Sequence, residues 1–275
     1  MTWWAIDVRT TPEERARLGA WLVARTGQAV EERDDGTLVT FAPDEPEAER
    51  LITELGREAG APAETSRRRI EPVDWSTRWR DGLGARSFGR LTVAPSWAPP
   101  VRGGPVVVLD PESAFGSGEH GSTRVALALL ERLVRPGDYV LDLGSGSGIL
   151  AIAAVKLGAA RAIGIENDSE ANPFAARNAE RNGVSGAVAF LEGEAGDLAP
   201  LLGPADLVLS NILRMVNTAL LPAIGSALRP GGLAVFAGME VAEAALFVPS
   251  LESAGFTAEE ELTDTGWWGV AARRR

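Results

Sequence analysis

Apolar positions along this 275-residue chain change their period from one region to the next, and each change marks a different kind of structure. At the start, "WWAIDV" reads as a strand. "TPEERARLGAWLVARTG" reads as a helix opened by Thr11, with Glu14 three residues on in a capping-box pattern, Pro12 in the first turn and Gly27 at the end. "QAVEER" and "TLVTFA" flank "DDG", a hairpin signal, and "DEPEAERLITELGREAG" places Leu51, Ile52 and Leu55 on one helical face. "AETSRRRI" supplies a fourth strand. The resulting order, βαββαβ, is that of a small α+β, ferredoxin-like sandwich, assigned to residues 1–66.

The periodicity then lapses. Residues 67–104 are rich in Pro and Gly and are read as a linker, in which Trp75 and Trp79, four apart, share one face of a short helix and pack against a domain. From residue 105 to 275 strands and helices alternate. "YVLDL", "RAIGIE", "AVAFLE", "ADLVLSN" and "LAVFAG" are strands, with helices over 149–157, through "EANPFAARNAERNG" and over about 216–228. Such alternation predicts an α/β, Rossmann-like domain on a largely parallel sheet. The tail, "GFTAEEELTDTGWWGVAARR", departs from it, because two strands around "TDTG" form a terminal antiparallel hairpin.

Composition removes several chemistries. The chain has no cysteine and a single histidine, which excludes a disulfide framework, a thiol nucleophile and a cysteine-based metal site, so no metal is expected. "MTWWAIDVRT" lacks the basic flank and apolar run of a secretory signal, and no stretch reaches the roughly 18 apolar residues of a membrane span. A cytoplasmic protein without membrane contact is expected. A net charge of −11 argues against a coat of duplex nucleic acid and suits a basic protein partner.

"VLDLGSGSGILAIA" carries the first chemical signal. A strand enters a turn with Gly144, Gly146 and Gly148, and a helix leaves it; glycine permits positive φ there and lets a ligand approach the backbone. Twenty-two residues after Gly144, Glu166 ends the next strand, where a carboxylate can accept hydrogen bonds from the ribose hydroxyls of a nucleoside. The loop is one residue tighter than the Gly-x-Gly-x-x-Gly of dinucleotide sites, and with the terminal hairpin this favours S-adenosylmethionine over NAD as cofactor.

"DPESAFGSGEHGSTR", "VLDLGSGSGILAIAAVKLGAARAIGIE", "NAERNGV" and "LVLSNIL", in this order and spacing, resemble the ribosomal protein L11 methyltransferases, the PrmA family of class I S-adenosylmethionine-dependent enzymes. The resemblance is good over 105–275 and weak through "DWSTRWR". It implies that the polar segment before the core closes over the methionine end of the cofactor, its family pattern matched here by Gly116, Ser117, Gly118, His120, Ser122 and Thr123. The cofactor-binding residues implied are Phe115, Gly116, His120, Thr123, Gly144, Gly146, Glu166 and Asn211. The implied activity is N-methylation of lysine ε-amines and of an N-terminal amine on a large-subunit ribosomal protein, by a monomer that does not bind nucleic acid directly.

In "SNIL", Asn211 keeps the polar anchor of nitrogen methyltransferases but lacks the prolines and the stacking ring used against flat bases, so an aliphatic amine suits the pocket. Asn211 is expected to accept a hydrogen bond from that amine and so to be the catalytic residue. Three other readings stay open at this point. They are an N-methyltransferase acting on nucleic acid or another protein, a cofactor-binding module without catalysis, and a nicotinamide oxidoreductase. His120 is left between a direct role and a hydrogen bond within its own loop.

Overall fold

Runs that are apolar throughout become interior strands here, and mixed runs become one-sided elements, as burial on two faces or on one requires. The computed structural model describes residues 3–28, 30–33, 35–58, 63–69, 84–99, 103–110 and 120–275. Contacts divide the chain into two units, residues 1–82 and 83–275.

In the first unit the elements are β1 (Trp4–Arg9), α1 (Pro12–Thr26), β2 (Glu31–Glu32), β3 (Leu38–Ala42), α2 (Glu45–Glu58) and β4 (Glu64–Arg69). The sheet order is β2-β3-β1-β4, and every neighbouring pair is antiparallel. This is the strand order of a split βαβ unit. Its core is Ile6 and Val8 from β1, Leu18 and Leu22 from α1, Leu38 and Ala42 from β3, and Ala48, Leu51 and Leu55 from α2. Gly27 ends α1 at φ +66°, its N–H donating to the Val23 carbonyl at 2.9 Å, a left-handed cap that glycine adopts without strain. The capping box expected at the other end is absent: Thr11 has extended backbone but its side chain makes no cap bond. Asp44 does cap α2, accepting the Glu47 N–H at 2.8 Å.

The second unit begins with three short strands, β5 (Arg86–Phe88), β6 (Leu91–Ala94) and β7 (Val106–Val108), which form their own small sheet. Helix α3 (Gly121–Leu133) follows. The main sheet then alternates with helices: β8 (Tyr139–Leu143), α4 (Ile149–Lys156), β9 (Arg161–Glu166), α5 (Ala171–Arg181), β10 (Val188–Glu192), α6 (Ala195–Leu202), β11 (Ala205–Asn211), α7 (Arg214–Ala227), β12 (Leu228–Glu240), α8 (Ala244–Ser253), β13 (Phe256–Asp264) and β14 (Trp267–Arg274). Its order is β10-β9-β8-β11-β12-β14-β13. The pairings from β10 to β12 are parallel, and β14 runs antiparallel to both β12 and β13. Side chains of α3, α4 and α5 fill one face; those of α7 and α8, with Phe236 and Trp268 of the sheet, fill the other. The hairpin turns on Thr265 at φ +46° and Gly266 at φ +85°, the paired positive φ values of a type I′ turn.

One departure from the sequence reading concerns residues 67–104. The stretch read as a linker over 67–104 contains the end of β4 together with β5 and β6, and Phe88, Leu91 and Val93 lie in the core of the second unit. Strands of three or four residues among Pro and Gly are too short to show a period, and it is their packing that makes them strands. Trp75 and Trp79 lie outside the described residues.

The small sheet is tied to the main domain by an asparagine. Asn182, just after α5, receives the Val108 N–H on its Oδ1 and donates its Nδ2 to the Val108 carbonyl, both at 2.8 Å, so one side-chain amide does the work of a neighbouring strand. Its Nδ2 also reaches the Asn178 carbonyl at 2.8 Å. Asn182→Ala strands both polar groups of Val108, and a stability loss of about 2–4 kcal/mol is expected from two such vacancies. Urea denaturation followed by fluorescence checks this, and a change near zero would show that water replaces the amide without cost.

Candidate active site

In a parallel sheet the loops at the carboxyl ends of the strands gather where the winding reverses, and here that point lies between β8 and β11. The loops after β8, β9, β10 and β11, with the start of α3 and the head of β14, enclose a cavity of about 640 Å³. Of the residues expected at a site, His120, Thr123, Gly144, Gly146, Glu166 and Asn211 all line this cavity. Phe115 and Gly116, with Ser117 and Gly118, lie outside the described residues.

The glycine loop is held from three sides. The N–H groups of Gly144 and Ser145 both donate to the Ile165 carbonyl, at 2.9 and 3.2 Å, and the Gly148 N–H donates to the Ser145 carbonyl at 2.8 Å. From α5, buried Asn178 donates to the Ser147 carbonyl at 3.0 Å. The left-handed φ values of Gly144, Gly146 and Gly148 are +68°, +50° and +76°. Space is as decisive as angle at Gly144, where a Cβ would stand 2.6 Å from Cγ2 of Ile212.

Glu166 closes on this loop more than the ribose role suggested. Its Oε2 accepts the Gly146 N–H at 2.9 Å, and its Oε1 accepts the N–H groups of Asn167 and Asp168 at 3.0 and 3.1 Å. A carboxylate has about four lone-pair sites, so three are engaged within the chain and one is left for a ligand. A second carboxylate, Glu194 at the head of α6, lines the same end of the cavity and takes a hydrogen bond from Asn167 Nδ2 at 3.2 Å.

At the other end stands Asn211. Its Nδ2 donates to Thr123 Oγ1 at 3.4 Å, which joins the end of β11 to the first turn of α3, and its buried Oδ1 has no hydrogen-bond partner among the described residues. Ser145 Oγ, in the loop, is buried and unpaired in the same way. Unpaired buried oxygens cost about 1–3 kcal/mol each, so two in one cavity mark places for a ligand's donors. His120 contacts Ser122 Oγ through Nδ1 at 2.8 Å and lies against Trp267, ring centroids 4.3 Å apart.

Trp267, Glu194 and Ser145 were not singled out from the sequence. Trp267 reads there as one more strand residue, and only the hairpin brings it to Gly121, whose Cβ, if present, would stand 2.3 Å from Trp267 Cδ1. No Lys or Arg is found among the described residues lining the cavity, while two carboxylates are. Among the described lining residues a pyrophosphate would meet no cationic side chain, whereas a cationic nucleoside meets Glu166 and Glu194 and offers donors to Ser145.

Comparisons with known proteins agree with this geometry. The family model described as "Ribosomal protein L11 methyltransferase (PrmA)" matches residues 3–275. A ribosomal protein L11 methyltransferase of Pelotomaculum thermopropionicum is 41% identical over 229 residues, covering 82% of this chain and 74% of that protein. One from Thermus thermophilus is 41% identical over 194 residues, covering 70% of this chain and 75% of its own length. Among solved structures, a ribosomal protein L11 methylase of Lactobacillus delbrueckii subsp. bulgaricus aligns with a TM-score of 0.62 at 30% identity, over 70% of this chain and all of that one.

Beneath the loop lies one more ionisable group. Asp142 in β8 is almost completely buried, accepts the Ala151 N–H of α4 at 3.0 Å through Oδ2, and leaves Oδ1 unpaired. Burial pushes its carboxyl up to about 7; the Ala151 N–H opposes this and the Glu166 charge adds to it. In the unfolded chain the group ionises near pH 3.9. Between these values the folded state holds a proton that the unfolded state has lost, so this contribution is full below about pH 4 and is lost as pH rises through 7. Asp142→Asn removes the titrating proton. Thermal unfolding of the ligand-free protein should therefore depend less on pH between 5 and 8 in the variant, and parallel profiles for the two proteins would exclude Asp142 as the source.

Proposed function

Because the chain belongs to the ribosomal protein L11 methyltransferase (PrmA) family, we propose that it uses S-adenosylmethionine to methylate amines of ribosomal protein L11, namely lysine ε-amines and an N-terminal α-amine. The observation that carries this reading is the unpartnered Asn211 Oδ1 in a cavity that has carboxylates at one end and aliphatic side chains at the other. Glu166 and Ser145, the backbone at Gly144 and Gly146, and Thr123 are the groups that would hold the cofactor. When bound, it supplies an electrophilic methyl carbon on a cationic sulfur.

The chain's own residues have two tasks, to favour the neutral amine and to orient it. A lysine with a pKa near 10.4 is neutral to roughly one part in a few thousand at pH 7. Ile212, Leu213 and Val216 border the cavity beside Asn211, and an amine seated against these aliphatic side chains is less hydrated, which disfavours its charged form. Glu166 stands at the end of β9, two strand spacings from β11, about 10 Å away, and so does little to hold the proton on. Asn211 Oδ1 accepts one N–H of the neutral amine and turns its lone pair toward the methyl carbon. No proton acceptor within the chain is needed, since the amine loses its proton to water before attack.

The first unit is assigned to substrate choice. Its own core is complete without the second unit, so it can act as a separate recognition element. Charge supports this less than the first 66 residues suggest. They carry 14 Asp and Glu against 7 Arg, but β4 adds Arg67, Arg68 and Arg69, and residues 1–69 come to 14 against 10, a net −4. Arg67 pairs with Glu45 and Glu49, and Arg25 with Glu54. The unit acts in the cytoplasm, where ribosomal protein is made and assembled, and the enzyme works as a monomer without membrane or direct nucleic-acid contact. In the described residues no helix is long and apolar enough to cross a membrane.

Two experiments test these assignments. With labelled S-adenosylmethionine and unmodified L11, Asn211→Ala should lower kcat on the order of 100-fold while cofactor affinity, by calorimetry, stays nearly intact, because the lost contact acts in the transition state. Raising the pH should speed the wild type and leave the variant slow; full recovery of the variant at high pH would assign Asn211 to proton removal instead. A chain of residues 83–275 should still bind the cofactor but lose most of its kcat/KM for L11. Undiminished methylation by that fragment would take substrate choice away from the first unit.

A further inference from the structure

We propose that Asn217, a buried residue of α7, is a positioning residue that fixes the Asn211 turn for methyl transfer. The inference rests on the reading of Asn211 as the group that orients the amine. Asn217 is fully buried, and its carboxamide is used on both sides. Its Nδ2 donates to the Ile212 carbonyl at 2.9 Å and to the Ala237 carbonyl at 3.0 Å, and its Oδ1 accepts the Ser210 hydroxyl at 2.6 Å. The residues on either side of Asn211 in the chain are therefore held by one side chain from another element.

These bonds fix the turn in three directions. Ser210 is the last position of β11 before Asn211 and is itself buried, so its hydroxyl has no access to bulk water. Ile212 follows Asn211, and its side chain and carbonyl lie against Gly144 and Gly238 respectively. Ala237 precedes Gly238 in β12, so the third bond ties the turn to the neighbouring strand. Without this amide the Ile212 and Ala237 carbonyls and the buried Ser210 hydroxyl would each lose a bond, and rotation of the 210–212 backbone to recover partners would redirect Asn211 Oδ1. Leucine has the same number and branching of side-chain heavy atoms and no polar atom, so it keeps the shape of asparagine while removing its hydrogen bonds.

The test uses the full chain with L11 and labelled S-adenosylmethionine, comparing Asn217→Leu and Ser210→Ala in the wild-type and Asn211→Ala backgrounds. Asn217→Leu is expected to lower kcat on the order of 10–100-fold, with cofactor Kd and the KM for L11 changed by no more than about 3-fold, the pattern of a lost transition-state alignment. Ser210→Ala, which removes one bond and no bulk, should show a smaller drop in kcat. In the Asn211→Ala background the additional effect of Asn217→Leu on kcat should fall to about 2-fold or less, because two residues acting through one contact are not additive. An equal loss in both backgrounds would mean that Asn217 only maintains the fold and would overturn the proposal. Should Asn217→Leu not fold, Ser210→Ala decides by the same comparison. Full activity in Asn211→Ala itself would remove the reading of Asn211 and the proposal with it, whereas wild-type kcat in Asn217→Leu would remove the proposal alone.

Discussion

The site depends on how closely Ile212 approaches two glycines. Its Cγ2 lies 2.6 Å from where a Gly144 Cβ would stand, and its carbonyl oxygen 2.4 Å from where a Gly238 Cβ would stand. A larger residue at Gly144 would push the end of β11 away from the loop after β8, and one at Gly238 would push it away from β12. Both glycines also have positive φ, +68° and +84°, so conformation and clearance make the same demand. With the three strands drawn this close, Asn211 comes within reach of Thr123 and faces the cavity that the glycine loop floors. The glycine loop at one strand end and the position of Asn211 at the next both depend on this steric fit.

Buried asparagines then hold what the glycines make room for. Asn178 anchors the loop at Ser147, Asn182 anchors β7 at Val108, and Asn217 anchors the turn after β11. In each case an asparagine in a helix or just after one supplies a side-chain amide to a backbone group of another segment. Glycine-rich turns gain their reach by giving up side-chain contacts, and fixed amides restore the rigidity that orientation requires.

Much of the fold could be read from the chain because its central strands are continuous apolar runs. "YVLDL" is buried at all five positions and "ADLVLSN" at five of seven, while "RAIGIE" is buried at three of six. The hairpin was legible from "TDTG", which supplies the turn itself. Helices α6 and α8 were not, and α3 was hidden because its first residues read as part of the polar segment before it. For the site, Glu166, Asn211 and the glycines declared themselves by sitting at strand ends. The asparagines of α5 and α7 did not, because a polar residue that will be buried looks the same in a sequence as one that will be solvated. Glu166 shows the complementary limit: its distance from the loop was readable, but its three bonds to backbone N–H groups were not.

The hairpin of β13 and β14 carries a consequence for the order in which the molecule becomes competent. Arg124 in α3 reaches Asp264 at 2.5 Å and Thr265 at 2.7 Å, contacts spanning 140 and 141 positions, and Trp267 closes the cavity beside His120. Joining segments so distant in sequence is slow, because the intervening chain must be ordered first. A chain emerging from the ribosome can therefore have formed β8 through β12, with the glycine loop and Asn211 already in place, and still present an open trough. The wall of the pocket can be set only once residue 267 has emerged as well, so the cavity closes after its floor has formed.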